Sequence, residues 1–284
     1  MNLAQDSRRP IGDGHTSPRE GTLASSAKSL IPHHFSSIAA RYNDLRLTDS
    51  EPVDLLVSSL AGLSAVTAAD VGCGTGRYTI ELMRRLGEKL FVSFVDCSKD
   101  MLEQLRVDLD LLDVLEFDIL HSRAERLPLP DGNLDCMLTF NAVHHFDLTR
   151  FFREARRTIR PGGLLFIYTR FQDQNSRSIW GQCFPDFAEK ETRLYDAEHM
   201  IRTIGAAEGL VMRDLTHFSF QRAATADCLV HRARNRHYST FCLYEPDELE
   251  PAIEAFEANL KEKFGTSDIL EWVDENVMLT VERV

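Results

Sequence analysis

The sequence predicts an α/β fold in which a parallel β-sheet is covered by helices on both faces. Between residues 65 and 169, apolar segments of strand length alternate with segments of helical periodicity. The strand segments are apolar almost throughout, which is typical of parallel strands because both of their faces are buried. No repeat at a solenoid period occurs, and this excludes a repeat architecture.

Local signals place the elements of this central region. Strands are predicted at 65–71, 90–96, 114–120, 135–140 and 164–169. Helices are predicted at 77–86, 98–111 and 148–159. Gly87 ends the first of these helices and the Pro161-Gly162-Gly163 turn ends the last, because neither glycine nor proline favours continuation of a helix.

The flanking regions are predicted to add helices to this sheet. Residues 1–28 are rich in Ser, Gly, Pro and Arg without periodicity, so we expect a flexible tail. Further helices are predicted at 31–45, 52–63, 196–207, 224–236 and 246–264, strands at 210–220 and 277–281, and an irregular segment at 170–193. We expect one domain at 29–284, with its core at 64–170 and insertions at 29–63 and 171–276.

The charge of the chain disfavours a large nucleic-acid partner. The sequence holds 44 acidic and 32 basic residues, a formal net charge of −12, whereas binding to a phosphate backbone needs Lys and Arg that displace counterions. From residue 245 onward the chain holds twelve acidic and three basic residues. Residues 222–237 form a basic island. We interpret both regions as solvated helix faces. For the island the alternatives are binding of an anionic ligand and pairing with the acidic end of the chain.

The cysteine pattern and the absence of long apolar runs indicate a cytoplasmic protein. The six cysteines are widely spaced and form no C-x-x-C pair, which excludes zinc-ribbon and thioredoxin-like sites. No apolar run reaches the roughly 18 residues of a transmembrane helix. Residues 1–28 lack an apolar core of the secretory type. We therefore expect reduced thiols, no membrane span and no metal site.

The motif Asp70-Val71-Gly72-Cys73-Gly74-Thr75-Gly76 joins the first predicted strand to the next helix. Glycines in such a turn bring the backbone close to a ligand. A dinucleotide fingerprint needs another glycine where Arg77 stands, and a P-loop needs Gly-Lys-Ser/Thr, so pyrophosphate ligands are disfavoured. Asp96 lies at the end of the second strand, where a carboxylate accepts hydrogen bonds from both ribose hydroxyls. The two features together predict a nucleoside ligand without a pyrophosphate.

Four segments of the chain form an ordered series of motifs. They read DVGCGTG at 70–76, FVDCSKDML at 94–102, AERLPLPDGNLDCMLTFNAVHHF at 124–146 and IRPGG at 159–163. In this order they resemble the class I S-adenosylmethionine-dependent methyltransferases, in particular the small-molecule branch with the ubiquinone and menaquinone C-methyltransferases. The resemblance covers about residues 33–170. It implies a Rossmann-like seven-stranded sheet with helices on both faces and helical additions at the N-terminus and in the C-terminal third.

The resemblance also implies S-adenosyl-L-methionine as the cofactor and a role for each matching position. Asp70 and the backbone of the glycine turn are expected to hold its methionine end, Asp96 its ribose, and the neighbourhood of Ala124 its adenine. Many members of the family have an aspartate where this chain has Arg123. The complete set of expected cofactor-binding residues is Asp70, Gly72, Cys73, Gly74, Thr75, Gly76, Asp96, Cys97, Met101, Ala124, Glu125, Phe140 and Asn141.

The expected reaction is an in-line displacement at an activated sulfonium methyl group, so alignment supplies much of the catalysis. A base is needed only if the acceptor loses a proton. His144 and His145 follow the fourth strand at its carboxyl end and are candidates for this base, with His145 as the nominal choice and Tyr42 as a further candidate. Packing without catalysis is the alternative for each of them.

The candidate acceptor-binding residues lie outside the glycine turn and its neighbouring strand. They are Phe35, Tyr42, Arg170, Trp180 and Arg193. Arginine and tryptophan suit an anionic or aromatic acceptor, although a solvated loop anchored by one Trp explains the same pattern. The predicted function is methyl transfer to a small molecule. The alternatives are methylation of an RNA such as a tRNA base, which the basic island allows, and a non-catalytic cofactor-binding protein.

Overall fold

A seven-stranded mixed sheet forms the centre of the computed structural model, which describes residues 47–112 and 116–284. Its strands are β1 (Val66–Val71), β2 (Leu90–Asp96), β3 (Phe117–His121), β4 (Leu134–Phe140), β5 (Ile159–Thr169), β6 (Leu210–Ala224) and β7 (Leu270–Arg283). Their order across the sheet is β3-β2-β1-β4-β5-β7-β6. The neighbours among β1 to β5 pair in parallel, whereas β7 runs antiparallel to both β5 and β6. The predicted seven-stranded α/β fold is confirmed, and the parallel pattern ends at β5.

The helices alternate with the first five strands and then accumulate after β5. They are α1 (Glu51–Leu60), α2 (Arg77–Leu86), α3 (Lys99–Leu111), α4 (Leu148–Thr158), α5 (Gln172–Arg177), α6 (Ile179–Cys183), α7 (Phe187–Lys190), α8 (Ala197–Ala206), α9 (Ala226–Arg234) and α10 (Pro246–Phe264). The side chains of Ser98 and Asp147 cap α3 and α4 by accepting hydrogen bonds from backbone amides of the first turn. None of the helices in the described ranges is long and apolar enough to cross a membrane.

Several segments differ from the sequence prediction, among them β7, which begins at Leu270 rather than at residue 277. Residues 170–193, expected to be irregular, contain α5, α6 and α7. β5 begins at Ile159 rather than at residue 164, because a register shift against β4 absorbs the Pro-Gly-Gly turn. β6 continues to Ala224, where a helix was predicted, because pairing with β7 extends as far as Leu270 and overrides the local preference of the alanines. The predicted tail at 1–28 and the predicted helix at 31–45 lie outside the described residues.

Alternating side chains along the strands build one apolar core on each face of the sheet. The first core packs α4 and α8 against strand residues that include Ala69, Val71, Met137, Ile167 and Leu279. The second packs α1, α2 and α3 against residues that include Ala68, Val92, Leu138, Phe166 and Met278. Adjacent side chains such as those of Ala68 and Ala69 point to opposite faces of the sheet, as expected of a strand that is buried on both sides.

A third apolar cluster, here called the aromatic cap, joins α6, α7, α9 and α10. Its central side chains are Trp180, Phe184, Phe187, Phe241 and Phe256. The ring of Trp180 stacks on that of Phe256 with centroids 5.1 Å apart, and Phe184 lies at the same distance from both Phe241 and Phe256. Leu270 and Trp272 at the start of β7 also pack against this cluster, so the cap is anchored to the sheet.

Arg157 on α4 ties the loop 122–133 to the body of the domain. Its two terminal nitrogens donate hydrogen bonds to the carbonyl oxygens of Leu129 and Leu127, at 2.8 and 2.9 Å. The same guanidinium forms ion pairs with Glu154 at 2.7 Å and Asp131 at 2.6 Å. One side chain therefore fixes both a helix and the loop beside it.

We expect Arg157→Met to lower the free energy of unfolding by about 1–3 kcal/mol, because it leaves partly buried carbonyl groups without donors. Urea unfolding of both proteins measures the difference. Arg202→Met is the matched control, since Arg202 is 66% exposed and contacts only Glu198 at 3.5 Å among the described residues. Its loss should stay below about 0.5 kcal/mol. Equal losses in the two variants would contradict the proposed anchoring role.

Candidate active site

The order of the strands creates a switch point between β1 and β4 at the centre of the sheet. The chain leaves β1 toward β2 on one side and leaves β4 toward β5 on the other. Ligands of open α/β sheets bind outside the carboxyl ends of the strands at such a point. The glycine turn at 72–76 and the segment 141–145 both begin there, which places the predicted functional segments at one edge.

Three glycines in the turn adopt backbone conformations that other residues rarely take. Gly72, Gly74 and Gly76 have φ angles of 70°, 54° and 70°. A Cβ atom at Gly72 would lie 2.6 Å from Cβ of Ala142 and 2.8 Å from Cζ of Phe146. The turn after β1 is thus in direct contact with the segment after β4, and no side chain fits between them.

Asp96 holds the glycine turn against the end of β2. One carboxylate oxygen accepts a hydrogen bond from the amide of Gly74 and the other from the amide of Ser98, both at 2.8 Å. Burial raises the pKa of Asp96, and these amides oppose that rise. Each carboxylate oxygen accepts more than one hydrogen bond, so the predicted contact with a ribose is compatible with this second, structural role.

Asp70 at the end of β1 presents a buried carboxylate that is only half satisfied. It is 1% exposed, and its Oδ2 accepts a hydrogen bond of 2.6 Å from the hydroxyl of Thr79. Its Oδ1 is buried and has no hydrogen-bond partner among the described residues. Burial raises the pKa of this carboxyl group to about 7. An unpaired carboxylate oxygen beside the glycine turn can accept a hydrogen bond from a cationic group.

The other residues expected around the cofactor are mostly packed. Thr75, Met101 and Ala124 are buried, whereas Cys97 is exposed. Burial is the main factor that raises the pKa of the Cys73 thiol well above its ordinary range. Cys73 is therefore a small side chain in a crowded turn and has none of the thiolate character that a nucleophile needs.

Glu125 has a structural role that the sequence did not reveal. Its carboxylate accepts a hydrogen bond of 2.9 Å from the amide of Asp147 and pairs with Arg123 at 3.3 Å. Arg123 is 79% exposed and points toward solvent. Glu125 therefore joins the loop after β3 to the start of α4. Its separation of 22 residues from Asp147 carries no sequence signal for this contact.

Asn141 and Phe140 continue from β4 into the site. Asn141 has a φ of 52°, in the left-handed region, and its amide donates to the carbonyl oxygen of Tyr168 at 2.7 Å. The ring of Phe140 stacks on that of Tyr78 at a centroid distance of 4.7 Å. Asn276 on β7 donates to the side-chain oxygen of Asn141 at 3.5 Å, a contact between distant parts of the chain that the sequence could not predict.

A cleft opens at this edge between the sheet and the aromatic cap. Its walls come from the start of α2, the segment after β4, the ends of β5 and β6, the beginning of β7 and the cap. Side chains at the sheet end include Tyr78, Asn141, His144, His145, Tyr168 and Arg170. The arrangement places a pocket for a second ligand directly beside the glycine turn.

His144 and His145 lie in a short 3₁₀ turn and both line the cleft. Their ring centroids are 4.0 Å apart. Tyr42 and Phe35 lie outside the described residues.

The three described candidates for acceptor binding have different surroundings. Arg170 lines the cleft, but its Nη2 lies 3.4 Å from Asp274. Trp180 also lines it, although the residue is 2% exposed and most of its ring is inside the aromatic cap. Arg193 binds Glu191, which is 4% exposed and is itself a lining residue. The residue on the wall at that position is therefore Glu191, which the sequence analysis did not select.

Arg222, Asp274 and Asp49 form a buried charge cluster with Arg170. Arg222 lies 2.8 Å from Asp49 and 3.4 Å from Asp274, and the four side chains are between 10 and 16% exposed. The interpretation of Arg222 and Asp274 as parts of solvated helix faces is wrong, because both lie on strands and face the cleft. No local pattern brings them together; the pairing of β6 with β7 does.

Comparison with known proteins agrees with this geometry. Residues 69–167 match the family model described as a methyltransferase domain. Over this segment the chain is similar to the class I methyltransferases. Malonyl-[acyl-carrier protein] O-methyltransferase from Dechloromonas aromatica is 32% identical over 155 residues, which are 53% of each chain. Demethylmenaquinone methyltransferase from Bacillus cereus is 32% identical over 97 residues, 34% of this chain and 41% of that protein.

The resemblance to quinone methyltransferases is confirmed over the matched segment, which is only a part of each relative. The chain spans about half the length, or less, of the curated relatives it matches. A crystal structure of geranyl diphosphate C-methyltransferase from Streptomyces coelicolor, in complex with Mg²⁺, geranyl-S-thiolodiphosphate and S-adenosyl-L-homocysteine, has a TM-score of 0.53 and 18% identity. The match covers 83% of this chain and 76% of that one, and it shows that the methyltransferase fold extends over most of the described chain.

The raised pKa of Asp70 predicts a specific pH dependence of stability. The group titrates near 3.8 when unperturbed and at about 7 in the folded protein, so the folded state binds more protons between these values. The free energy of unfolding of the ligand-free protein should therefore fall as pH rises from about 4 to about 7 and then stay level.

We expect Asp70→Asn to remove this decline. The variant should be more stable than the wild type above pH 7 by about 2–4 kcal/mol, and the difference should shrink toward pH 4. Urea unfolding across a pH series measures it. Asp110→Asn, at an exposed position on α3, should give a small difference that does not change with pH. A constant difference for Asp70→Asn would show that the pKa of Asp70 is not raised in the folded protein.

Proposed function

We propose that this protein transfers a methyl group from S-adenosyl-L-methionine to a small-molecule acceptor and releases S-adenosyl-L-homocysteine. The observation that supports it most is the buried, unpaired Oδ1 of Asp70 beside three left-handed glycines at the switch point of the sheet. The proposal is also supported by the methyltransferase domain at 69–167 and by the structural neighbour whose complex contains S-adenosyl-L-homocysteine.

The described residues fit this cofactor in charge and in shape. We propose that Asp70 binds its ammonium group, that the glycine turn holds its carboxylate end, and that Asp96 accepts from its ribose hydroxyls. Cys97, Met101 and Ala124 border its adenine in this proposal. When bound, the cofactor supplies a methyl group that is already activated for displacement.

The chain itself then contributes alignment and, where the acceptor loses a proton, a base. The cleft beside Asn141 orients the acceptor toward the methyl group, and the aromatic cap excludes water from it. We propose that His145, or His144 next to it, takes the proton from the acceptor. Both rings line the wall at the end of β4, where the acceptor and cofactor must meet.

A small-molecule acceptor is favoured over RNA because the basic island does not present one cationic surface. Arg222 is buried against Asp49, Arg234 pairs with Glu250 at 3.0 Å, and His237 is buried beside Trp180. A chain with a formal charge of −12 then has little with which to attract a phosphate backbone. Production of S-adenosyl-L-homocysteine with any acceptor distinguishes catalysis from cofactor binding alone.

The boundaries and location of the domain are part of the same proposal. We propose that 29–284 is one methyltransferase domain, since β6 and β7 complete the sheet that begins in the core at 64–170. We also propose a cytoplasmic location. The six cysteines are free thiols, which suits a reducing compartment.

Calorimetric titration with S-adenosyl-L-homocysteine tests the proposed cofactor site. We expect the wild type to bind, and Asp96→Asn to bind at least about tenfold more weakly, a loss of about 1.4 kcal/mol. The amide leaves one carboxylate oxygen fewer to accept from Gly74 and from the ribose. Asp110→Asn on the following helix is the control and should bind as the wild type does. Absence of binding by the wild type would end the proposal, and unchanged binding by Asp96→Asn would remove Asp96 from the ribose role.

A further inference from the structure

The cleft is lined by more basic than acidic residues, although the chain as a whole has a formal net charge of −12. Four arginines line it, and they face the three carboxylates Asp49, Glu191 and Asp274. The charge of Glu191 is already neutralised by Arg193, which binds it through two nitrogens. Arg193 does not line the cleft and is not one of the four arginines. The wall is therefore cationic in a chain whose formal net charge is −12. A cleft of one sign concentrates ligands of the opposite sign.

The arginines of the wall differ in whether they have a carboxylate partner. Arg170 and Arg222 are held by Asp274 and Asp49. Arg77 donates to the carbonyl oxygen of Leu47 and lies over the ring of Tyr78. Arg232 on α9 is half-buried, and within residues 47–112 and 116–284 no carboxylate forms an ion pair with it.

Arg232 is placed where it can bind an anionic ligand in the cleft. A guanidinium that is partly withdrawn from water and lacks an acidic partner gains most from an anionic ligand, because it is weakly hydrated and presents its donors in a fork. Arg232 lies on the cap side of the cleft, next in the wall to His237 and Tyr238. The sheet side, with Asn141 and the histidines, is left for the reacting end of the acceptor.

The same walls are unusually aromatic. The rings that line the cleft are those of Tyr78, Tyr168, Trp180, Phe187, Tyr238 and Trp272. The indole Nε1 of Trp272 is buried and has no hydrogen-bond partner among the described residues. A buried N–H without an acceptor is uncommon, and an oxygen atom of a ligand would satisfy it. The half-buried residues Tyr238 and Trp272 offer ring surface to a planar ligand body.

We infer that the methyl acceptor is a planar aromatic anion whose charged group binds to Arg232. This inference rests on the proposed function, because it specifies the acceptor of the same reaction. A neutral analogue of equal size leaves Arg232 partly desolvated and unpaired, so the cleft discriminates strongly against it. An aromatic carboxylate satisfies both the guanidinium and the aromatic walls.

Binding of matched acid–amide pairs tests the inference. We use benzoate, cinnamate and 2-naphthoate, each with its neutral amide, in the presence of saturating S-adenosyl-L-homocysteine. Both tryptophans of the chain line the cleft, so quenching of their fluorescence reports occupancy, with calorimetry for the naphthyl pair. We expect at least one acid to bind about tenfold or more tightly than its amide.

The variant Arg232→Gln should weaken binding of that acid about tenfold and leave the amide within about twofold. Arg234→Gln, on the same helix and paired with Glu250 at the surface, is the matched control and should change neither. Equal affinities for acids and amides, no binding of any acid, or an unchanged acid affinity in Arg232→Gln would overturn the inference. Affinity for S-adenosyl-L-homocysteine is measured separately in each variant, and its absence in the wild type would reject the proposed function instead.

Discussion

The contact between the glycine turn after β1 and the segment after β4 is the constraint on which the site depends. At Gly72 a single Cβ atom would approach Ala142 to 2.6 Å, so the two loops meet only because the side chain is absent. Asp96 then fixes the turn from the other side through the amide of Gly74. Beside this clamp, Oδ1 of Asp70 is buried and has no hydrogen-bond partner among the described residues, which costs free energy in the folded protein.

The second half of the site depends on the antiparallel pairing of β6 with β7. This long pair extends the sheet and anchors the aromatic cap beside its carboxyl edge. It also brings Arg222 and Asp274 into one buried cluster with Arg170 and Asp49. Loss of one partner from a largely buried ion pair leaves the other charge uncompensated, so each of these four residues depends on the others.

The sequence predicted those parts whose signals are local. α2 begins and ends where the periodicity and Gly87 indicate, and the seven-residue turn with Asp96 was found from spacing alone. The extent of β6, the contact of Glu125 with Asp147 and the partners of Arg222 were not predictable. Each depends on residues far apart in the chain, and pairing across the sheet overrides the propensity of a short segment. Arg193 was selected for its charge, whereas its partner Glu191 is the residue on the cleft wall.

Net charge describes the surface of this protein and is a poor guide to its cleft. Half of the twelve acidic residues from residue 245 onward lie on α10, where Glu250, Glu254 and Glu262 are exposed. Asp274 lies instead on β7, which carries it into the buried cluster with two arginines. An acidic exterior repels polyanions at long range, and salt screens that repulsion beyond about 10 Å. A small anion that enters the cleft meets Arg232 at short range, where the low-dielectric walls strengthen the attraction. The same charge distribution therefore supports the proposal of a compact anionic acceptor over that of RNA.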